Sequence, residues 1–276
     1  MEERTALHTA ARRYCQERIE RGDTWYQRVK DLKDLPPEGQ HDIDLRNVHV
    51  YILPEIERTV GTDFAATDSL RAFLIACAQS APIPAPIAGS TPEQDRMISD
   101  ERDRFCAYLA SLSLQDLQHV EPLPYRRILQ DREAERLWQR LGRRWGVPRY
   151  GFWYPLESVV VPDNTVAFND AWFVRYVPPM LLRQILARRG IKRIWQLSTE
   201  GRQYEMDLAL LFPVYRHRQT EAYWTSDKMD WVLYQSHEYS LTVAGAKLLH
   251  AIKKAWPEWD KHLYTGWDYV RPAVDI

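Results

Sequence analysis

The chain has 276 residues, of which 45% are hydrophobic and 27% charged, and its formal net charge is −1. A chain of this length buries roughly three quarters of its unfolded surface, which excludes any need for disulfide or metal staples. The composition also excludes wholesale disorder, and the charge excludes a global field steering the chain toward nucleic acid or an anionic membrane.

Cys15, Cys77 and Cys106 form neither a disulfide framework nor a Cys-x-x-Cys pair, and read as small buried hydrophobes kept reduced in a cytosol. Met1-Glu2-Glu3-Arg4 opens a mixed-charge segment with no apolar run behind it. No window approaches the roughly 18 apolar residues of a membrane span. The expected address is the cytoplasm, with no membrane partner.

In chain order, Leu7, Ala10, Ala11, Tyr14 and Cys15 recur at helical spacing, and Trp25, Tyr26, Val29 and Leu32 resume it after Gly22-Asp23. Pro36-Pro37-Glu38-Gly39 breaks the pattern. Residues 48–60 carry both a strand-like and a helical period, and the helix is preferred across Pro54. Thr67-Asp68 reads as the cap of a helix through Ser80 with Leu70, Phe73, Leu74 and Cys77 on one face. The Pro-rich run 81–90 reads as an extended surface connector. Thr91-Pro92-Glu93-Gln94 is a capping box opening a helix to about Leu112. A helix over 131–145 buries Ala134, Leu137, Trp138, Leu141 and Trp145, with an Arg-rich opposite face.

After Gly146-Val147-Pro148 the texture becomes aromatic and strand-like. Short strands are expected at 158–161 and 165–168, then a helix from Pro178-Pro179 ended by Gly190. An antiparallel meander follows at 191–197, 204–212, 221–225, 231–235 and 239–243. A last helix buries Leu248, Leu249, Ile252 and Trp256. The fold class is therefore α+β: a mostly helical region over 1–147, then an antiparallel sheet with flanking helices over 148–276, the two sharing one core.

No nucleotide, nucleophile-elbow or zincin motif is present, and no His or Cys pair has ligand spacing. No cofactor and no metal are therefore expected. His237 is the candidate general base, with Glu238, Glu205 or Asp207 as its orienting carboxylate. Glu205 and Asp207 share one face of a strand, a pattern that suits a divalent cation or simply a solvated edge. The segment 126–149 carries eight Arg, among them Arg136, Arg140 and Arg143, which would contact phosphates or face water. Trp224, Trp231, Tyr234, Trp259 and Trp267 are amphipathic aromatics suited to binding a partner.

Together these features favour a non-enzymatic module that binds another protein. An immunity or accessory protein of a defence or toxin system is an analogy of the same profile. A metal-dependent hydrolase or nuclease using Glu205, Asp207 and His237 is the alternative. Nucleic-acid binding through 126–149 is a second one.

Overall fold

A computed structural model describes residues 2–29, 37–83, 91–157, 160–213 and 221–266. The chain divides into two compact units, Met1–Leu123 and Pro124–Ile276. Helices come first and a seven-stranded antiparallel sheet follows, so the class is α+β. Among the described residues no helix is long and apolar enough to cross a membrane.

The first unit is helical: α1 (Glu3–Val29), α2 (Pro37–Glu57), α3 (Thr67–Ser80), α4 (Pro92–Ser111) and α5 (Leu114–Gln118). Leu7, Ala11 and Cys15 of α1 meet Val48, Ile52 and Ile56 of α2, Leu74 of α3 and Phe105 of α4 in one core. The two helical runs expected around Gly22 are a single helix. Gly22 is there because α2 passes so close: a Cβ on it would lie 2.4 Å from the Cβ of Arg46. The break expected at Pro36–Gly39 is instead a helix start, since Pro37 opens α2, where a missing N–H costs nothing.

Pro54 lies inside α2, which ends at Glu57. Thr67 is the first residue of α3 and Ala66 its cap, and Phe73 is largely exposed. The Thr91/Gln94 capping box forms as expected. In the Pro-rich run, Ala81 is buried and Ile83 packs against the core. Residues 84–90 lie outside the described residues.

In the second unit, β1 (Arg126–Ile128) leads to α6 (Asp131–Trp145), β2 (Thr165–Asn169), α7 (Asp170–Tyr176) and α8 (Pro179–Arg188). Then come β3 (Arg193–Ser198), β4 (Tyr204–Asp207), β5 (Ala222–Thr225), β6 (Val232–Gln235), β7 (Ser240–Ala244) and α9 (Ala246–Ala255). The strand order is β1-β4-β3-β5-β6-β7-β2. Alternation along the strands sends Ile194, Met206, Trp224, Leu233 and Val243 to one face, where α8 and α9 cover them. Tyr223, Val232 and Tyr234 go to the other face, under Trp138, Leu141 and Trp145 of α6 and Trp153. Both faces are buried, so β5, β6 and β7 are buried along their whole length.

Four further expectations change. The strand expected over 204–212 stops at Asp207 and continues as a 3-10 turn over Leu208–Leu210, with Leu208 still buried. β5 pairs with β3 rather than with its sequence predecessor β4, whose outer edge is taken by β1. Val160 and Val161 are exposed and not in a strand, and 158–159 lie outside the described residues. The division between units falls at Leu123/Pro124, not near 147, because the apolar stripe of α6 is buried on the sheet.

Candidate functional site

The first residue of the site is Glu221, just ahead of β5. Its carboxylate is buried and accepts from the Tyr234 hydroxyl at 2.6 Å and from the His237 backbone N–H at 2.8 Å. The His237 Nδ1 contacts the same oxygen, Glu221 Oε1. Its Nε2 lies 2.8 Å from Glu238 Oε1. The imidazole thus bridges two carboxylates, one at each ring nitrogen, while its side chain is 45% exposed. The turn below it is clasped by Ser236 and Ser240, whose hydroxyls are 2.8 Å apart.

A rigid aromatic base supports this turn. Tyr223 and Tyr234 are cross-strand partners on β5 and β6, stacked with centroids 4.5 Å apart. Trp138 packs edge-on to Tyr223, and the Tyr223 hydroxyl donates to the Gly151 carbonyl at 2.8 Å. Burial pushes both phenols far above the usual tyrosine range, and the nearby Glu221 adds to it. Both hydroxyls therefore stay protonated and act as donors.

Over that base the 148–157 loop presents Tyr150 and Phe152, 43% and 42% exposed, and the β6–β7 turn presents Tyr239, 36% exposed. Phe152 lies against the His237 ring at 5.6 Å, and Tyr150 against Trp138 at 5.1 Å. Tyr150 and Tyr239 hold positive φ angles of 52° and 60°. A bulky side chain in that region costs on the order of 1–2 kcal/mol.

The other candidate residues fall elsewhere. Glu205 and Asp207 sit on β4 with two strands, β3 and β5, between them and β6. Glu205 meets the Tyr125 hydroxyl at 3.0 Å and Arg127 at 3.0 Å, while Asp207 accepts from the Tyr125 N–H at 2.7 Å. Arg193 reaches both carboxylates and lies 3.8 Å over the Tyr125 ring. Arg127 is raised above its usual range, first by Glu133 and then by Glu205. This is an ion-pair network along the β1–β4 edge, and it does not include His237. Trp224, Trp231 and Tyr234 are buried, so as folded they offer no surface to a partner. Trp259 is half-buried against Phe168 with the Lys253 ammonium 3.6 Å over its ring, and Trp267 lies outside the described residues.

Arg136, Arg140 and Arg143 stand on the exposed face of α6. Among the described residues no three His, Cys, Asp or Glu side chains converge to hold a metal ion. Sequence reasoning missed Glu221 as the partner of His237, because the two are joined only by the β5–β6 hairpin, 16 residues apart. It also missed Tyr150, Phe152 and Tyr239, which share no period. Compared with known proteins, the chain matches no family model, no curated protein and no solved structure.

Proposed function

We propose that the chain is a non-enzymatic protein-binding module whose contact surface is the aromatic end of the sheet around Tyr150, Phe152, His237 and Tyr239. The observation that carries this reading is the pair of exposed tyrosines held at positive φ. Exposed aromatics on strained backbone persist only where the surroundings over-determine them; here the Tyr223 hydroxyl on the Gly151 carbonyl and the Trp138 ring against Tyr150 hold one turn, and the Asp170 N–H on the Tyr239 carbonyl holds the other. Rigid aromatics on such a base lose little entropy on association and are the residue types that anchor interfaces.

The test is a quantitative pull-down from the native cell with the wild-type chain, a Tyr150→Ala/Phe152→Ala variant and a distant Met180→Ala control. A stoichiometric protein kept by the control and lost from the double variant supports the reading. Equal capture by all three, with folding intact, overturns it.

The buried Glu221 against Nδ1 favours a second reading, a general base at His237, because a carboxylate so placed orients an imidazole. That chemistry needs Nε2 to leave Glu238. A hydrolytic activity abolished by His237→Gln and kept by Tyr150→Ala would favour it over binding.

A further inference from the structure

We propose that the exposed face of α6 and the cleft at its end bind the phosphate backbone of a single-stranded nucleic acid. Arg132, Arg136, Arg140, Arg143 and Arg144 are all exposed on this helix. At 1.5 Å per residue they form a ridge about 18 Å long, the reach of roughly five nucleotides of one strand. Four other arginines of this unit are held by carboxylates: Arg127 by Glu133 and Glu205, Arg149 by Glu135, Arg189 by Asp230 and Arg193 by Glu205 and Asp207. Among the described residues, none of the five ridge arginines lies in a salt bridge with a carboxylate.

Three of the ridge arginines contact neutral groups, and Arg136 adds to the larger effect of Arg127 in lowering the pKa of Glu133. Arg136 donates to the Arg132 carbonyl at 3.1 Å and Arg140 to the Asp227 carbonyl at 2.7 Å. The Arg140 and Arg144 guanidinium groups lie over the rings of Trp195 and Trp145. Five arginines against Asp131, Glu133 and Glu135 leave α6 net positive in a chain whose net charge is −1.

The ridge runs into a concavity of about 430 Å³ lined by Arg144, Lys247, Asn164 and Asp163, among others. Its wall includes Gly245, with φ 115°, where a Cβ would lie 2.6 Å from the Asp230 carbonyl oxygen. The α9 helix starts directly after this glycine, with no side chain capping its first N–H groups. An ammonium, a guanidinium and an uncapped helix start lining one concavity suit a phosphate group. A planar carboxylate would be satisfied by one arginine alone. That difference favours nucleic acid over an acidic protein. Asp163 opposes the anion, and Asp230 is engaged by Arg189.

The experiment measures anisotropy of labelled oligothymidylate and oligouridylate against salt, with poly-glutamate as the acidic-polypeptide arm. Binding of both oligonucleotides is expected, with a log–log salt slope near −3.5 for five contacts. Arg136→Gln/Arg140→Gln/Arg143→Gln should weaken it at least tenfold and make the slope shallower by about 2. Asp163→Asn should tighten it about two- to threefold, and Tyr150→Ala/Phe152→Ala should leave it unchanged. The proposal is overturned by no binding at low salt, by binding that ignores the triple substitution in a folded variant, or by poly-glutamate binding as tightly as the oligonucleotides.

Discussion

His8 shows how a single residue sets a pH dependence. Its Nε2 lies 3.0 Å from both the Ile56 carbonyl and the Thr59 hydroxyl. Burial first, and Arg12 second, lower its pKa from 6.5 to about 4. Between those values the unfolded chain binds a proton that the folded one refuses. The neutral ring's contribution is therefore complete above about pH 6.5 and is lost as the pH falls toward 4, by up to about 3 kcal/mol. Helical unfolding followed by circular dichroism should show this loss between pH 7 and 5, and His8→Gln should flatten the profile. An unchanged slope in that variant would assign the loss to other groups.

At Gly22 two effects of opposite sign compete. Alanine gains about 1 kcal/mol in helix propensity, but its Cβ would lie 2.4 Å from the Cβ of Arg46 and 2.8 Å from the Asp42 carbonyl. Overpacking of that kind costs about 1–3 kcal/mol, and one clashing atom is backbone. Gly22→Ala should therefore destabilise the helical unit by up to about 2 kcal/mol in urea unfolding. A stabilised variant would mean that α1 and α2 separate easily.

Among the elements, α6 and β4 show what periodicity does and does not specify. In α6 the apolar stripe Leu137, Trp138, Leu141 and Trp145 is read directly from the spacing, and all four residues are buried. In β4 the alternation Tyr204, Met206, Leu208, Leu210 suggests a strand to 212, yet the ladder stops at Asp207. Asp207 and Leu208 instead bond outside the strand, their N–H groups to the Tyr125 and Lys192 carbonyls. Leu208 reaches the same core from a 3-10 turn. Leu208→Asp should cost at least ~3 kcal/mol, because it leaves an unpaired charge in an apolar site. Chemical denaturation measures this, and a cost below about 1 kcal/mol would mean that the turn opens to water.

For the molecule as a whole, the two proposed surfaces belong to the second unit and share no residue. Their effects should then be additive. A chain carrying both the Tyr150→Ala/Phe152→Ala and the Arg136→Gln/Arg140→Gln/Arg143→Gln substitutions should lose each ligand by the factor that its own set produces. A protein partner lost through the arginines alone would show that both surfaces serve one complex.

The sequence by itself determined the α+β class, the capping box at Thr91, the buried stripes of α6 and α9, and the places of most strands. These follow from local chemistry: side-chain period, cap geometry and turn residues act over a few positions. Only the tertiary structure decided that β5 lies beside β3, that α6 belongs with the sheet, and that His237 meets Glu221 rather than Glu205 or Asp207. Each of those depends on which distant strands become neighbours. Backbone pairing is chemically alike for all strands, so periodicity cannot encode it, and the choice is made by how both faces of the sheet are buried at once.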